Sequence, residues 1–98
     1  MIKINISEDA LKWFKDEVEL GEGSKVRFFS QIYGTSKIRE NFSLAFTIDP
    51  DDEEAASSVT VEGITFYVNE SDLWFFDGHD LFVLYDEKLD EVTYDYKK

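Results

Sequence analysis

Apolar and polar residues alternate along two stretches in the middle of the chain, within residues 26–48. In the first stretch Val26 and Phe28 share one face. In the second stretch the same face is formed by every other residue, namely Phe42, Leu44, Phe46 and Ile48. Such alternation is typical of half-buried strands. The pattern therefore predicts a central β-hairpin, and its polar connection, which contains Gly34-Thr35-Ser36, is the first place to look for a chemical site.

The chain before this hairpin reads as a short strand followed by a helix. Ile2, Ile4 and Ile6 alternate with polar residues, which favours a half-buried strand. Ser7 is a suitable N-cap, since its hydroxyl can accept from the first free N–H groups of a helix. The helix has an apolar face, formed by Ala10, Leu11, Phe14 and Val18. Gly21 is the predicted C-cap.

The second half of the chain contains further strand patterns and one short helix. Residues 59–61 and 64–68 flank Glu62-Gly63, which predicts a second hairpin. The predicted short helix covers residues 72–76, and alternation resumes at 81–85 and 92–96. The acidic run 49–54 and the small residues 55–58 after it predict a mobile loop, because like charges at this density repel and stay hydrated.

These elements predict one domain, residues 1–98, of a mainly β (α+β) class. Because hairpins dominate the order of elements, we expect a rolled, mostly antiparallel sheet or sandwich. It would carry an N-terminal amphipathic helix and one short late helix.

The charge balance restricts the classes of partner. The net charge is −12 over 98 residues, which argues against binding nucleic acid or anionic membranes, because such contacts depend on Lys and Arg. The charge either serves solubility or forms a surface for a basic partner or for loosely held cations. No signal-peptide pattern or membrane-length apolar run is present, so we expect a cytoplasmic protein.

Residues for catalysis or metal binding are scarce. The chain has no cysteine and one histidine, His79, and a lone imidazole does not make a transition-metal site. His79 is interpreted as bonded to a nearby carbonyl or carboxylate, with a base or ligand role as the alternative. No hydrolase, metalloprotease or phosphate-loop motif occurs. We therefore predict no catalytic residue, no metal site and no enzyme activity.

Three consecutive aromatic residues, 74–76, occupy the predicted late helix. The first interpretation is that they belong to the core, but they cannot all face inward from one helical turn, so the alternative is that one of them is presented to a partner. The candidates for a pocket or partner surface here are Trp74, Phe76 and His79.

The order of strand, helix and V26-R-F-F hairpin, followed by F66-Y-V-N-E-S-D-L-W-F-F-D-G-H-D-L81, resembles the HesB-like family of iron–sulfur cluster biosynthesis, which includes the A-type carriers. The resemblance covers nearly the whole chain and is most specific at Asp72–Gly78. It implies a HesB-like fold and a role in cluster assembly. It also makes a homodimer one of the oligomeric states to test for.

The same resemblance implies an altered ligand loop. Relatives of that family place a cysteine after a Gly-Gly pair in the hairpin and a Cys-Gly-Cys near the C-terminus. Here Tyr33 and Thr35 replace the first glycine and the cysteine, and the end of the chain has no cysteine. Clusters are held by thiolates, so no cofactor is expected. The altered ligand-loop candidates are Tyr33, Gly34, Thr35 and Ser36.

The resulting functional prediction is a non-ligating member of the iron–sulfur cluster biosynthesis family. It would act by contact with a protein partner, such as the cluster-assembly machinery, or at its altered site. The alternative is a small-molecule or protein binding module that uses the former ligand pocket without a metal.

Overall fold

A computed structural model of the chain describes residues 2–32, 34, 36–39, 41–48 and 55–98. Within these ranges the chain forms seven strands, two α-helices and one short 3-10 helix. In chain order they are β1 (Ile4–Ile6), α1 (Glu8–Asp16), β2 (Lys25–Gln31), β3 (Ser43–Ile48), β4 (Ala55–Val61), β5 (Ile64–Asn69), the 3-10 helix (Glu70–Asp72), α2 (Leu73–Phe76), β6 (Asp80–Asp86) and β7 (Glu91–Lys97). The mainly β, α+β prediction is confirmed. No helix in the described ranges is long and apolar enough to cross a membrane.

The strands form two sheets, and both predicted hairpins are present. The four-stranded sheet has the order β3-β2-β5-β4, and the three-stranded sheet has the order β1-β6-β7. Antiparallel pairing of β2 with β3 places Phe28 opposite Phe46, so the apolar face of the central hairpin is continuous. Glu62 and Gly63 both have positive φ, as two-residue hairpin turns require.

Two strand pairs within the described residues are parallel, although the other three are antiparallel as predicted. β2 lies parallel to β5, with Val26 opposite Phe66, and β1 lies parallel to β6, with Ile4 opposite Leu81. Alternation identifies the buried face of a strand but not the neighbour to which it bonds. The sequence pattern therefore could not reveal these parallel pairs.

β4 begins earlier than the sequence predicts. Residues 55–58 were expected in the loop, but they belong to the strand, and Ser57 lies buried opposite Val68. Pairing with β5 outweighs the weak strand preference of these small residues. The acidic run 49–54 lies outside the described residues.

α1 begins as predicted and ends earlier. The Ser7 hydroxyl accepts a hydrogen bond from the Ala10 N–H at 3.1 Å. The helix stops at Asp16 rather than near Gly21, and Glu19 takes a left-handed conformation (φ 58°). This early reversal returns the chain to the core, where Leu20 is buried.

Aromatic rings connect α1 and the two sheets. Phe14 of α1 packs edge-on against Phe46 and Phe66 at 5.2 and 5.3 Å between ring centroids. Phe28 stacks on Phe66 at 6.2 Å and meets Tyr94 of the other sheet at 5.9 Å. The core therefore lies between the sheets and is closed on one side by α1.

Candidate interaction site

The connection between β2 and β3 contains a local turn that Ser36 and Arg39 close. The Ser36 N–H donates to the Arg39 carbonyl at 3.0 Å, and the Arg39 N–H donates to the Ser36 hydroxyl at 3.0 Å. Gly34 has φ 79°, and a Cβ there would come within 3.2 Å of the Ser43 hydroxyl. Gly34 thus has a conformational reason to be glycine. The other two loop candidates, Tyr33 and Thr35, lie outside the described residues.

Arg39 joins this connection to α2. Its Nη2 donates to the Trp74 carbonyl at 2.7 Å, and its Nε donates to the Phe75 carbonyl at 3.4 Å. Both acceptors belong to the end of α2, where a helix leaves carbonyls without internal partners and favours a cation. The structure therefore brings two regions predicted from the sequence together, and Arg39, which the sequence analysis missed, connects them.

The three consecutive aromatic residues divide between core and surface. Phe75 and Phe76 are fully buried and pack against each other and against Tyr96. Trp74 is 47% exposed. Its ring meets Phe42 edge-on at 5.1 Å, and the Arg39 guanidinium lies 5.5 Å from its centroid. We call Trp74, Phe42 and Arg39 the Trp74 surface; Phe76 presents no surface to a partner.

His79 completes the end of α2. Its backbone N–H and its ring Nδ1 both lie 2.8 Å from the Phe76 carbonyl oxygen. A carbonyl can only accept, so Nδ1 is the donor. Asp77 and Gly78 precede it in left-handed conformations that stop the helix. The interpretation of His79 as a histidine bonded to a nearby carbonyl is confirmed.

A buried carboxylate fixes α2 to the four-stranded sheet. Asp72 accepts from the Arg27 guanidinium at 2.9 Å, from the Ser30 hydroxyl at 3.0 Å and from the Ser30 N–H at 3.3 Å. Asp72 itself is buried. Burying a carboxylate is favourable only with such partners. No sequence signal could link Arg27 to Asp72, because they lie 45 residues apart.

A pocket of about 230 Å³ lies beside the connection. Its lining is hydroxyl-rich with one cation and consists of Ser36, Lys37, Ser43, Leu44, Tyr94 and Tyr96. Burial raises the pKa of both tyrosines, so their phenols stay protonated at neutral pH. Among the described residues, the lining contains no imidazole, thiolate or carboxylate. Across the described residues, no three His, Cys, Asp or Glu side chains are grouped to hold a metal.

A second surface lies where α1 meets the β6–β7 turn, at the end of β6 that is farther from α2 along the chain. The Trp13 indole N–H donates to the Asp90 carbonyl at 3.0 Å, and the Tyr85 hydroxyl donates to the Asp90 carboxylate at 2.6 Å. The latter bond, with smaller effects of desolvation and nearby carboxylates, raises the pKa of Tyr85 to about 12. A groove of about 230 Å³ here is strongly acidic.

The chain is similar over nearly its whole length to several bacterial proteins. It is 44% identical over 96 residues to the pyruvate dehydrogenase inhibitor of Bacillus subtilis, which covers 98% of this chain and all of the relative. An uncharacterized protein of Staphylococcus saprophyticus is 37% identical over 95% of the chain and 97% of its own length. One of Staphylococcus aureus USA300 is 33% identical over 98% of the chain and its full length. No family model and no solved structure matches.

This degree of similarity defines the family. The chain belongs to the family of the Bacillus subtilis pyruvate dehydrogenase inhibitor. The prediction of a HesB-like, iron–sulfur cluster biosynthesis protein was wrong, since no family model matches and the named relative is an inhibitor. The alternative of a binding module built on a former ligand pocket is not supported either.

The residues on which the mistaken family prediction rested have structural roles in this fold. In Asp72–Gly78, Asp72 binds Arg27 and the next residues form α2. Phe75 fills the core, and Gly78 reverses the chain. Each of these roles is one of packing or chain reversal, and a structural pattern of this kind does not imply a function.

Proposed function

We propose that this protein inhibits pyruvate dehydrogenase by binding to it. The observation that carries the proposal is the 44% identity to a pyruvate dehydrogenase inhibitor across the full length of that relative. A match of this extent includes both sheets and the surfaces between them, rather than one shared motif. On this proposal the partner is a protein, and cluster-assembly proteins are not among its partners.

The proposed mode of action is stoichiometric contact. The protein would need no cofactor and would not be an enzyme, in keeping with the lack of a catalytic motif in the sequence. It would act in the cytoplasm, beside the enzyme it inhibits. The net charge of −12 would speed its encounter with a basic surface and would oppose binding to nucleic acid.

Inhibition can be tested directly with purified pyruvate dehydrogenase complex from the source organism and from Bacillus subtilis. Pyruvate, coenzyme A and NAD⁺ are supplied, and the initial rate of NADH formation is followed as the protein is added. We expect a saturable loss of rate and co-elution of the protein with the enzyme on size exclusion. A second 2-oxoacid dehydrogenase complex is the control for specificity. An unchanged rate at saturating protein would contradict the proposal.

The same titration distinguishes a binding inhibitor from an enzyme that inactivates its target. A binding inhibitor reaches its end point only when it is stoichiometric with its sites, and dilution restores activity at the rate of dissociation. A modifying enzyme would act below stoichiometry and progressively with time. Progressive, substoichiometric loss of activity would therefore refute stoichiometric contact while leaving an inhibitory role in place.

A further inference from the structure

Trp74 is exposed where its two neighbours on α2 are buried. The indole is 47% exposed, whereas Phe75 and Phe76 contact no solvent. A single exposed apolar side chain is ordinary on a protein surface. Trp74 differs because it is large, aromatic and held in place.

Three contacts reduce the freedom of the exposed indole. Phe42 and Phe75 meet its ring edge-on at 5.1 and 6.1 Å, and the Arg39 guanidinium lies over it at 5.5 Å. Arg39 is itself fixed by its hydrogen bonds to the Trp74 and Phe75 carbonyls. Tryptophan and arginine dominate the energetics of protein interfaces, and a side chain that is already ordered loses less entropy on binding. The Trp74 surface is therefore preorganised for contact.

The charge around Trp74 indicates the chemistry of the partner. Glu70 and Asp77 are exposed on either side of it in the same short segment. The positive charge of Arg39 is directed at helix carbonyls. A partner should therefore present an apolar pocket bordered by Lys or Arg. A second copy of this chain fits poorly, because each copy carries a net charge of −12 and would repel the other.

We infer that Trp74 inserts into an apolar pocket on pyruvate dehydrogenase that is bordered by basic residues, with Glu70 and Asp77 facing those residues. This inference rests on the proposed function and adds the surface through which that function is exerted. It assigns the binding energy mainly to the indole, and it assigns the rate and salt dependence of association to the flanking carboxylates.

The central test compares Trp74→Ala with Leu89→Ala. Leu89 is a matched control, since it is an apolar side chain that is 62% exposed and lies on the β6–β7 turn. Binding to the enzyme is measured by calorimetry and inhibition by the rate of NADH formation. We expect Trp74→Ala to weaken both by about tenfold or more, and Leu89→Ala to change neither.

Folding of the variants is checked by circular dichroism and thermal melting. Trp74→Gln, which keeps a long side chain without the ring, is a second variant and should behave like Trp74→Ala. An independent readout uses the unaltered protein: hydroxyl-radical footprinting should show that Trp74, and not Leu89, is protected in the complex. Asparagine tolerates the left-handed backbone at position 77, so Asp77→Asn should keep the fold and reduce the salt dependence of binding.

The outcomes separate the two proposals. If the unaltered protein does not inhibit, the proposed function fails before any variant is compared, and this docking mode falls with it. If it inhibits and Trp74→Ala inhibits equally well, only the docking surface is refuted. Protection of Leu89 alone would also refute it. So would a dimer of the unaltered protein that Trp74→Ala dissociates, because a second copy would then occupy the surface.

Discussion

The two tryptophans of this chain occupy contrasting environments. Trp13 is half-buried, its indole N–H binds the Asp90 carbonyl, and its ring packs edge-on against Phe14 and Phe46 at 5.3 and 6.1 Å. It therefore attaches α1 to both sheets. Trp74 makes ring contacts with Phe42, Phe75 and Arg39 and leaves about half of its surface in water. One indole contributes to folding stability, while the other is positioned by the fold and remains available.

The largest expected effect tests this contrast directly. Trp13→Ala should lower the free energy of unfolding by about 2–3 kcal/mol, below the range for a fully buried tryptophan because the side chain is only half-buried. Trp74→Ala should lower it by about 1 kcal/mol or less. Urea titrations at neutral pH measure both. Equal losses of unfolding free energy would show that Trp74 contributes as much to folding stability as Trp13 does.

Removing the buried Asp72 carboxylate, which holds α2 to the sheet, should lower the free energy of unfolding about as much as Trp13→Ala does. Asp72→Ala removes the acceptor of three hydrogen bonds, so a loss of about 2–3 kcal/mol is expected. The matched control is Lys15→Gln, because Lys15 and Glu62 also pair at 2.7 Å but with side chains 41% and 59% exposed. That substitution should cost about 0.5 kcal/mol or less. Similar losses for the two variants would contradict the role assigned to burial.

Arg39→Lys should lower the free energy of unfolding by less than Asp72→Ala does. It should also make the Trp74 indole more accessible to solvent. A lysine cannot reach two carbonyls with one planar group or stack in the same way. We expect a loss of about 1 kcal/mol. In a Trp13→Phe background, where Trp74 is the sole tryptophan, fluorescence quenching by acrylamide should rise. Quenching that stays unchanged would show that Arg39 does not restrain the indole.

The smallest expected effect is a change in how thermal stability depends on pH when Asp95 is substituted. The Tyr96 N–H, and then Lys37, hold the pKa of Asp95 below its usual range. A lowered pKa in the folded state stabilises the protein above the carboxyl's usual pKa, and this stabilisation is lost as pH falls through the folded value. Asp95→Asn should therefore lower Tm slightly at neutral pH and flatten its decline in acid. A decline identical to that of the unaltered protein would refute this role for Asp95.

Much of the local structure could be predicted from the sequence. The alternating apolar residues identify both hairpins, and Ser7 marks the start of α1. The early end of α1 and the strand at 55–58 could not be predicted, because packing overrides weak local preference there. The two parallel strand pairs could not be predicted from the sequence either, since the periodicity of a strand is the same whichever strand it pairs with.

The candidate site was predictable only in part. Three adjacent aromatic residues on one turn indicate that one is exposed, and the structure identifies it as Trp74. The contacts that position it, from Arg39 and through Asp72, join residues that lie 35 or more positions apart. The family was misread because the segment 72–78 carries residues for packing and chain reversal, and such residues do not by themselves define a function.

The parallel pairing of β1 with β6 has a consequence for how the chain reaches its native state. Ile4 pairs with Leu81, so β1 has no strand to join until β6, more than 70 residues later, has been synthesised. Closing so long a loop is entropically costly, and contacts of this kind slow folding to milliseconds or seconds. During synthesis β1 therefore remains unpaired until β6 is available. The three-stranded sheet, and the part of the core that it covers, can form only after β6 has been synthesised.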